Sequence, residues 1–502
     1  MNRTMKSKMS KEQLNVLLFF SDQHRADVLG CENHPDVSTP NLDKLAKEGV
    51  RFERAYCQDG VCVPSRCSFI SGLYPRTLGC LDNGDRNPAM DKIVSMQKMF
   101  LSNGYLTAAF GKRHFFQACD EGWEIRKSHL IEEHDQENYM KWIKEKGYGK
   151  EFARDWAAEW GGNHPEGPEN AGEFSQAPLS ARPTLLPEDM TAEAYTKKET
   201  IELIEKCSKA DRPFFIFSSF LRPHQPYTPL PRYYDLFDRS HWGKGRIAGD
   251  GIAKPPAFDQ SPEELPPGLR ERMGKTGLPW NLKAAHEDQQ IFRDAIAAYY
   301  AGVMEIDACI GEIMAALEKL GLKENTIVIY TSDHGEFAGG HGIMEKIAPG
   351  HNIYEDTLRV PLIISCPSHL RKDIASGDLV ELVDIYPTLM DLCSCRNAKD
   401  MQSLPGRSLL RHLKDGTPVG RKFAVSENWS QAAIITERYK LGIWLEPAKK
   451  GPGDYRSWGN MLFDREKDPF ELTNCFSDSE YSGIRNRLAS IYDEWFENIN
   501  FC

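Results

Sequence analysis

Short apolar runs, separated by stretches with helical spacing, recur along the first 400 residues. Five runs have the length of a strand and are apolar nearly throughout: 16–21, 107–110, 214–219, 326–331 and 360–365. Continuous apolar runs predict strands buried on both faces, as in a parallel sheet. Apolar residues at steps of three and four predict helices over 41–48, 93–103, 192–206 and 294–320. This alternation predicts an α/β fold with a large, mostly parallel sheet sandwiched by helices.

The pattern changes near residue 404. Four short strand-like runs follow, at 423–427, 432–435, 441–444 and 461–463, and a helical pattern covers 483–497. We therefore predict an N-terminal α/β catalytic domain over 1–400 and a smaller C-terminal α+β subdomain over 401–502, which contains a short antiparallel sheet. Two stretches rich in glycine and proline, 161–187 and 250–281, are predicted to be long loops that shape a substrate pocket.

Composition and charge exclude several classes of protein. The chain has 502 residues, of which 40% are hydrophobic, and its formal net charge is −11. A disordered chain does not have this composition, and no apolar run approaches the ~20 residues that span a membrane. The acidic balance argues against nucleic-acid binding, so an anionic ligand requires basic residues gathered locally. The 13 cysteines include no C-x-x-C pair and are too sparse for a disulfide scaffold.

The first residues predict a cytoplasmic location. Residues 1–13 are basic and polar, and the apolar run 14–20 is at the lower length limit of a signal-peptide core. No small-residue cleavage site follows this run. We interpret it as the first buried strand, and we expect a cytoplasmic protein rather than a periplasmic or secreted one.

Polar residues that can bind a metal come directly after two of the predicted strands. Asp22 and Gln23 follow the first, and Asp333 and His334 follow the strand at 326–331. Open α/β sheets bind ligands at the carboxyl ends of their strands. Carboxylates, an amide oxygen and an imidazole nitrogen can together hold a divalent cation. Cys62, in the segment Cys62-Val63-Pro64-Ser65-Arg66, would on its own indicate only a buried cysteine beside a turn.

Taken in order, these segments resemble the type I sulfatases, the formylglycine-dependent members of the alkaline phosphatase superfamily. Residues 62–66 resemble that family's C-x-P-S-R motif, and 111–114 resemble its G-K-W-H segment with Arg113 in place of Trp. Residues 223–226 resemble its P-H-x-P loop, and 331–336 resemble its late metal-binding strand end, with Lys346 following at the expected distance. The similarity runs from residue 15 to about 475 and implies an alkaline phosphatase-like fold.

The resemblance implies a role for each matching residue. It implies that Cys62 is oxidised to formylglycine, whose hydrate attacks sulfur and later releases sulfate from a sulfo-enzyme intermediate. It implies the metal ligands Asp22, Gln23, Cys62, Asp333 and His334. Arg66 is expected to orient the nucleophile, Lys112 and Lys346 to bind sulfate oxygens, and His114 to act as the base. His224 is expected to be the acid for the leaving oxygen, with Lys346 as its rival, and Asn83 to donate to the sulfate.

Some of these residues have an ordinary structural alternative. Gln23 could serve only to cap the first strand, Lys346 could be a surface lysine, and His114 could be a structural histidine.

Two departures from the family pattern bear on the cofactor. Gln23 stands where an acid is usual, so the site has one negative charge fewer, and His334 offers a nitrogen where an amide oxygen is usual. Calcium, which prefers oxygen ligands, is the metal that the resemblance implies, with manganese, magnesium or zinc as alternatives. The expected partners are a small sulfated substrate and either a formylglycine-generating enzyme or an anaerobic sulfatase-maturating enzyme, with no nucleic acid and no membrane.

The resemblance implies hydrolysis of a sulfate ester, and we expect a sulfated carbohydrate such as a uronate or hexosamine derived from glycosaminoglycans. A phosphonate monoester hydrolase or phosphodiesterase of the same superfamily is the first alternative, because the Asp22-Gln23 and Asp333-His334 pairs resemble those enzymes. Lys112 argues against it, because those relatives lack a lysine there. An inactive sulfatase-like binding protein is the second alternative.

Overall fold

The computed structural model describes residues 13–84, 93–128, 138–160, 181–266, 287–346, 353–396, 402–428, 431–445 and 459–499. The strands are β1 Asn15–Asp22, β2 Gly49–Tyr56, β3 Leu106–Gly111, β4 Ile125–Lys127, β5 Phe214–Pro223, β6 Trp242–Gly243, β7 Ile252–Ala253, β8 Thr326–Ser332, β9 Leu362–Ser365, β10 Ile374–Glu381, β11 Ala424–Asn428, β12 Gln431–Ile435, β13 Tyr439–Trp444 and β14 Met461–Asp464.

The α-helices are α1 Pro40–Lys47, α2 Cys62–Ser71, α3 Pro75–Leu78, α4 Met96–Ser102, α5 Gln117–Asp120, α6 Tyr139–Glu145, α7 Gly149–Trp160, α8 Ala192–Cys207, α9 Pro231–Tyr234, α10 Gln289–Lys319, α11 Glu355–Leu358, α12 Ile385–Leu392, α13 Leu410–Asp415 and α14 Ser482–Ile499.

Eight strands form one large sheet in the order β10-β2-β9-β8-β1-β5-β3-β4. Strand β1 lies at its centre, pairs in parallel with β5 and β8, and is buried along its whole length. Strand β9 alone runs antiparallel to its neighbours β2 and β8. The prediction of a large, mostly parallel sheet is therefore confirmed.

Helices cover both faces of this sheet. Along β1, Leu18 and Phe20 belong to the core on one face, whereas Leu17 and Phe19 pack on the other with the apolar stripe of α10. Because consecutive strand residues point to opposite faces, an apolar run of this kind is buried only when both faces are covered.

Strands β2 and β10 were missing from the prediction. They pair in parallel, and β10 forms the edge of the sheet. In β2, Arg51 and Glu53 interrupt the apolar residues and are partly exposed or exposed. A search for continuous apolar runs therefore misses strands of this kind. Strand β9 begins at Leu362 rather than 360, because Pro361 has no N–H to donate to a neighbouring strand.

The small antiparallel sheet predicted in the C-terminal part is present, in the order β11-β12-β13-β14. One face packs against α14 through Ile434 and Leu488. On the other face, Ala433 and Ile435 join the main core of the large sheet. The proposed boundary at residue 400 stays a prediction.

The two predicted loops are only partly described. Residues 161–180 and 267–281 lie outside the described residues, whereas 181–187 and 250–266 run close to the main body of the structure. No helix in the described ranges is both long and apolar enough to cross a membrane.

Candidate active site

Helix α2 begins at Cys62, and all ten of its residues are buried. The preceding residue, Val61, has an extended backbone, so the helix begins abruptly at the cysteine. The side-chain oxygen of Asn83 accepts a hydrogen bond of 2.9 Å from the backbone N–H of Val63 in the first turn. Helix N-termini carry partial positive charge and favour anions. The start of α2 therefore brings partial positive charge close to the Cys62 side chain.

Four metal-binding side chains converge at this point: Asp22, Cys62, Asp333 and His334. One ligand atom from each lies within 4.8 Å of the other three. The Cys62 Sγ is 3.2 Å from His334 Nε2 and 3.8 Å from Asp22 Oδ1. We call this group the four-donor cluster. It combines Asp22, Asp333 and His334 at the ends of β1 and β8 with Cys62 at the start of α2, a helix that the sequence analysis did not predict.

The donor atoms of the cluster suit a divalent cation. His334 Nδ1 lies 2.9 Å from the carbonyl oxygen of Gly335, so this nitrogen carries the hydrogen and Nε2 presents its lone pair to the cluster. Asp333 is fixed by backbone N–H groups, including that of Gln23 at 2.9 Å. Two carboxylates, an imidazole nitrogen and the group at Cys62 are donor types that bind divalent metal ions in proteins.

Two buried cations balance the carboxylates. Arg66 Nε donates to Asp333 Oδ2 at 2.7 Å, and another guanidinium nitrogen lies 3.3 Å from Asp22 Oδ2. The Lys112 ammonium is paired with the same Asp22 oxygen. Burial alone would raise the pKa of Asp22, but Lys112, His224 and Arg66 hold that pKa well below its usual value. Asp22 is therefore ionised, and the two cations lie close to Cys62.

Lys112 reaches Asp22 because the chain passes very close to β5. Gly111 has a φ of +84°, and a Cβ there would lie 1.8 Å from the carbonyl oxygen of Ser219. The next residue, Lys112, donates its backbone N–H to the same oxygen at 3.1 Å. Glycine at 111 is thus required by this close approach.

Gln23 occupies a strained position with φ +67° and has three side-chain contacts. Its Oε1 accepts from Lys346 Nζ at 2.7 Å, and its Nε2 donates to Gln225 Oε1 at 3.2 Å and to the Glu336 carboxylate. The oxygen that we predicted as a metal ligand therefore contacts an ammonium group here. The role of Gln23 as a ligand stays a prediction.

Lys346 and His224 lie side by side, with Lys346 Nζ 3.5 Å from His224 Nε2. His224 Nδ1 is 2.6 Å from the Gln225 carbonyl oxygen, so Nε2 is the acceptor and Lys346 is the donor. Burial lowers the pKa of His224 well below its usual value, with Lys112 and Lys346 adding to the effect. Lys346 is buried, which excludes the alternative of an ordinary surface lysine.

Two further predicted residues lie nearby in the chain. His114 comes two residues after Lys112, has a φ of +51° and is partly exposed. Asn83 has its oxygen on the first turn of α2, which supports a positioning role, and its predicted bond to sulfate is not tested. Arg25, close to Gln23 in the chain, is paired with Asp27 and Asp356.

Sequence reasoning missed Glu336 and Gln225. Both belong to segments that we matched to the family, yet neither was assigned a role. Glu336 is buried, and burial together with the charge of Glu345 raises its pKa to about 8. Glu336 and Gln225 both accept from the Gln23 amide, so they fix which way that amide points. Only the three-dimensional structure shows this contact, because residues 23, 225 and 336 are far apart in the chain.

Comparison with known proteins identifies a family. The sequence profile described as Sulfatase matches residues 14–394, which is most of the chain. A second profile, described as N-sulphoglucosamine sulphohydrolase, C-terminal, matches residues 339–496.

Individual proteins agree with the profiles. The chain is 28% identical to an arylsulfatase of Clostridium perfringens, over 95% of this chain and 93% of that protein. It is 26% identical to an N-acetylglucosamine-6-O-sulfatase of Bacteroides thetaiotaomicron, over 96% and 86%. The crystal structure of a phosphonate monoester hydrolase of Agrobacterium radiobacter shares its fold, with a TM-score of 0.76 at 24% identity, over 97% of this chain and 96% of that one.

Proposed function

Because the chain belongs to the sulfatase family and is a sulfuric ester hydrolase, we propose that it removes sulfate from a carbohydrate by means of a formylglycine derived from Cys62. The observation that carries the proposal is the position of Cys62. It stands at the start of a buried helix, among two carboxylates and a histidine, with Arg66 and Lys112 close by.

An unmodified thiol suits this position poorly. Burial and the charge of Asp22 raise the pKa of the Cys62 thiol to about 12, so it is protonated near neutral pH. A thiolate that attacked sulfur would also end as a stable sulfur-bound sulfate adduct. Oxidation of Cys62 to an aldehyde, followed by addition of water, gives two hydroxyl groups on one carbon and avoids both problems.

Asp22, Asp333 and His334 would hold a divalent metal, with Gln23 as a further ligand if its oxygen turns away from Lys346. Calcium is our first choice, and the nitrogen of His334 keeps manganese, magnesium and zinc in consideration. When bound, the metal would supply positive charge to the sulfate oxygens and to the nucleophile.

In the first step, one hydroxyl group of the hydrated residue 62 loses its proton to solvent and its oxygen forms a bond to sulfur, while the bond from sulfur to the sugar oxygen breaks. We assign Lys112 and Arg66 to stabilise the charge on the sulfate oxygens. The departing sugar oxygen needs a proton, and we assign this role to Lys346 and His224, which lie side by side.

In the second step, the remaining hydroxyl group on residue 62 loses its proton, for which we assign His114 as the base. The bond from the residue-62 carbon to the sulfate oxygen then breaks, the aldehyde forms again and sulfate leaves. No water molecule has to attack sulfur. A second hydroxyl group on the same carbon is what makes this release possible.

Similar proteins support a carbohydrate substrate. One relative is named for N-acetylglucosamine 6-O-sulfate, and the profile that matches the C-terminal part is named for sulphoglucosamine. The test is a steady-state assay of protein matured with a formylglycine-generating or anaerobic maturating enzyme. We expect sulfated hexosamines or uronates to be hydrolysed with a higher kcat/KM than phenylphosphonate monoesters or phosphodiesters. The reverse order would favour the phosphonate hydrolase alternative, and no turnover of either class would favour a binding protein.

A further inference from the structure

The face of the C-terminal sheet that packs against the catalytic domain has an apolar part and a polar part. Ala433 and Ile435 of β12 lie on this face, within the main core, whereas Ile434 between them faces α14. Because side chains alternate along a strand, Gln431 shares the face of Ala433 and Ile435. Asn428, the direct partner of Gln431 across the hairpin, lies on the same face. The polar part is therefore at the end of this sheet where β11 connects to β12.

The side chains in this polar part are buried without hydrogen bonds. Neither the oxygen nor the nitrogen of the Asn428 carboxamide has a partner among the described residues, and the same holds for Gln431. Ser426, two residues before Asn428 in β11, also has an unpaired hydroxyl group. All three residues are at most 2% exposed. Buried polar groups are nearly always paired, so this cluster indicates partners from outside the chain.

The polar part adjoins the segment that leads to the nucleophile. The backbone N–H of Glu427 donates to the carbonyl oxygen of Gln58 at 2.7 Å, so the segments that contain Asn428 and Asp59 adjoin each other. Asp59 is fully buried, and one of its carboxylate oxygens accepts from a backbone N–H at 2.8 Å. Its other oxygen has no partner among the described residues. Asp59 lies three residues before Cys62, so the cluster reaches the start of α2.

The chemistry of these groups selects a class of ligand. Each carboxamide offers a donor and an acceptor. Burial raises the pKa of Asp59 well above its usual value, so this side chain adds a carboxyl group that can donate as well as accept. Neighbouring hydroxyl groups of a sugar ring both donate and accept, so they match this arrangement. A simple anion would leave the amide acceptors unpaired, and a simple cation would leave the amide donors unpaired.

We propose that Asp59, Ser426, Asn428 and Gln431 form a subsite for the hydroxyl groups of the sugar that carries the sulfate ester. This inference rests on the proposed function and deepens it, because it assigns residues to the sugar rather than to the sulfate. The atoms are shielded from solvent in this structure, so neighbouring groups must move apart when a sugar binds.

The test compares two substrates in the matured enzyme. Asn428→Ala and Gln431→Ala are assayed with N-acetylglucosamine 6-sulfate and with 4-nitrophenyl sulfate, which has no sugar hydroxyl groups. We expect each variant to lower the ratio of the two kcat/KM values by about fivefold to tenfold, the effect of losing one or two hydrogen bonds. An equal loss with both substrates, or no loss with either, would overturn the proposal.

A matched control separates sugar binding from general damage. Gln402→Ala removes another carboxamide, whose oxygen and nitrogen both bond to backbone groups at 3.0–3.1 Å. We expect this variant to leave the substrate ratio unchanged, even if it lowers thermal stability. A ratio that falls as far in Gln402→Ala as in Gln431→Ala would contradict a specific subsite.

A direct binding measurement keeps this inference distinct from the proposed function. Calorimetry with the Cys62→Ala variant uses a panel of sulfated hexosamines and uronates, without any need for turnover. Binding that is lost on adding Asn428→Ala and Gln431→Ala would support the subsite even if no sulfate ester is hydrolysed. Absence of binding to every sugar of the panel, or binding that these changes leave intact, would contradict the subsite.

Discussion

The two sides of the active site are built from different parts of the fold. In the four-donor cluster, Asp22 is the last residue of β1, Asp333 and His334 come directly after β8, and Cys62 begins α2. His224 comes directly after β5, whereas His114 and Lys346 lie in connecting segments. The first side is held by strands and a buried helix, as a nucleophile and metal site require. The second side, which we expect to face the leaving group, lies next to loops. Loops vary more between related proteins than the strands and helices that they connect.

Removing the nucleophile is expected to give the largest effect. Cys62→Ala should lower kcat/KM for every sulfate ester by roughly 10⁴-fold or more, because the covalent step is lost. The side chain is small and its replacement is smaller, so the thermal melting temperature should stay close to that of the parent protein. Steady-state kinetics and calorimetry check both statements. Full sulfatase activity in this variant would exclude the mechanism.

Asp333→Asn tests the metal-binding side of the comparison. The change removes a charged ligand and the partner of Arg66, so metal content and activity should both fall sharply, as they should after chelation of the parent protein. Asp307→Asn is the matched control, since Asp307 is also buried but accepts hydrogen bonds from the start of α1. Metal analysis of both variants should show a loss only for Asp333→Asn. Equal metal content in the two would contradict the assigned site.

Lys346→Met and His224→Gln test the loop side. A missing proton donor should lower kcat/KM for a sugar sulfate by about 10²–10⁴-fold. The loss should be much smaller for 4-nitrophenyl sulfate, because its leaving group needs no proton. A loss that is equal for the two substrates would indicate that these residues bind sulfate rather than protonate the leaving oxygen. Comparing the two variants also shows which residue carries the proton.

Glu336→Gln tests the link between the two sides. Without the carboxylate, the Gln23 amide loses its fixed orientation. Metal affinity should then fall about 10–100-fold, as is common when a residue that hydrogen-bonds to a metal ligand is changed. The double variant Gln23→Glu with Glu336→Gln exchanges the two groups at constant charge and should recover part of that affinity. Calorimetric titration with calcium and manganese measures it. Strictly additive effects in this double-mutant cycle would contradict a direct contact.

Asn83→Ala is expected to have the smallest effect. It removes the acceptor for the first turn of α2 and should lower the free energy of unfolding by about 0.5–2 kcal/mol. Asn83→Asp keeps the acceptor but loses the amide donor. Chemical denaturation and kinetics of the two variants separate helix capping from the predicted bond to sulfate. A stable Asn83→Asp protein with strongly reduced kcat/KM would favour sulfate binding.

The four-donor cluster was predictable because its residues follow two apolar strands and a recognisable motif. The carboxyl ends of neighbouring parallel strands lie at one edge, so Asp22 and Asp333 had to be close once β1 and β8 were recognised. The contact from Gln23 to Lys346 was not predictable in this way. It depends on loop backbone with positive φ, at Gln23 and at Glu345, and on an amide whose direction is set by Glu336.

The burial of the unpaired carboxamides in the C-terminal sheet could not be predicted from the sequence either. Asn428 is the last residue of β11 and Gln431 is the first residue of β12, and polar residues at such a connection ordinarily indicate a solvent-exposed turn. They are buried only because the small sheet packs on the catalytic domain. Strand β2, which lies between β10 and β9, was missed for a different reason, because its partly exposed or exposed Arg51 and Glu53 interrupt the apolar run.

The most direct test of the central claim is the mass of the tryptic peptide that contains Cys62, measured together with sulfatase activity. The protein should be produced with a formylglycine-generating or anaerobic maturating enzyme. We predict that the thiol is replaced by an aldehyde or its hydrate, and that activity rises in proportion to the converted fraction. A protein whose Cys62 remains an unmodified thiol, yet which hydrolyses sulfate esters at the full rate, would contradict the account.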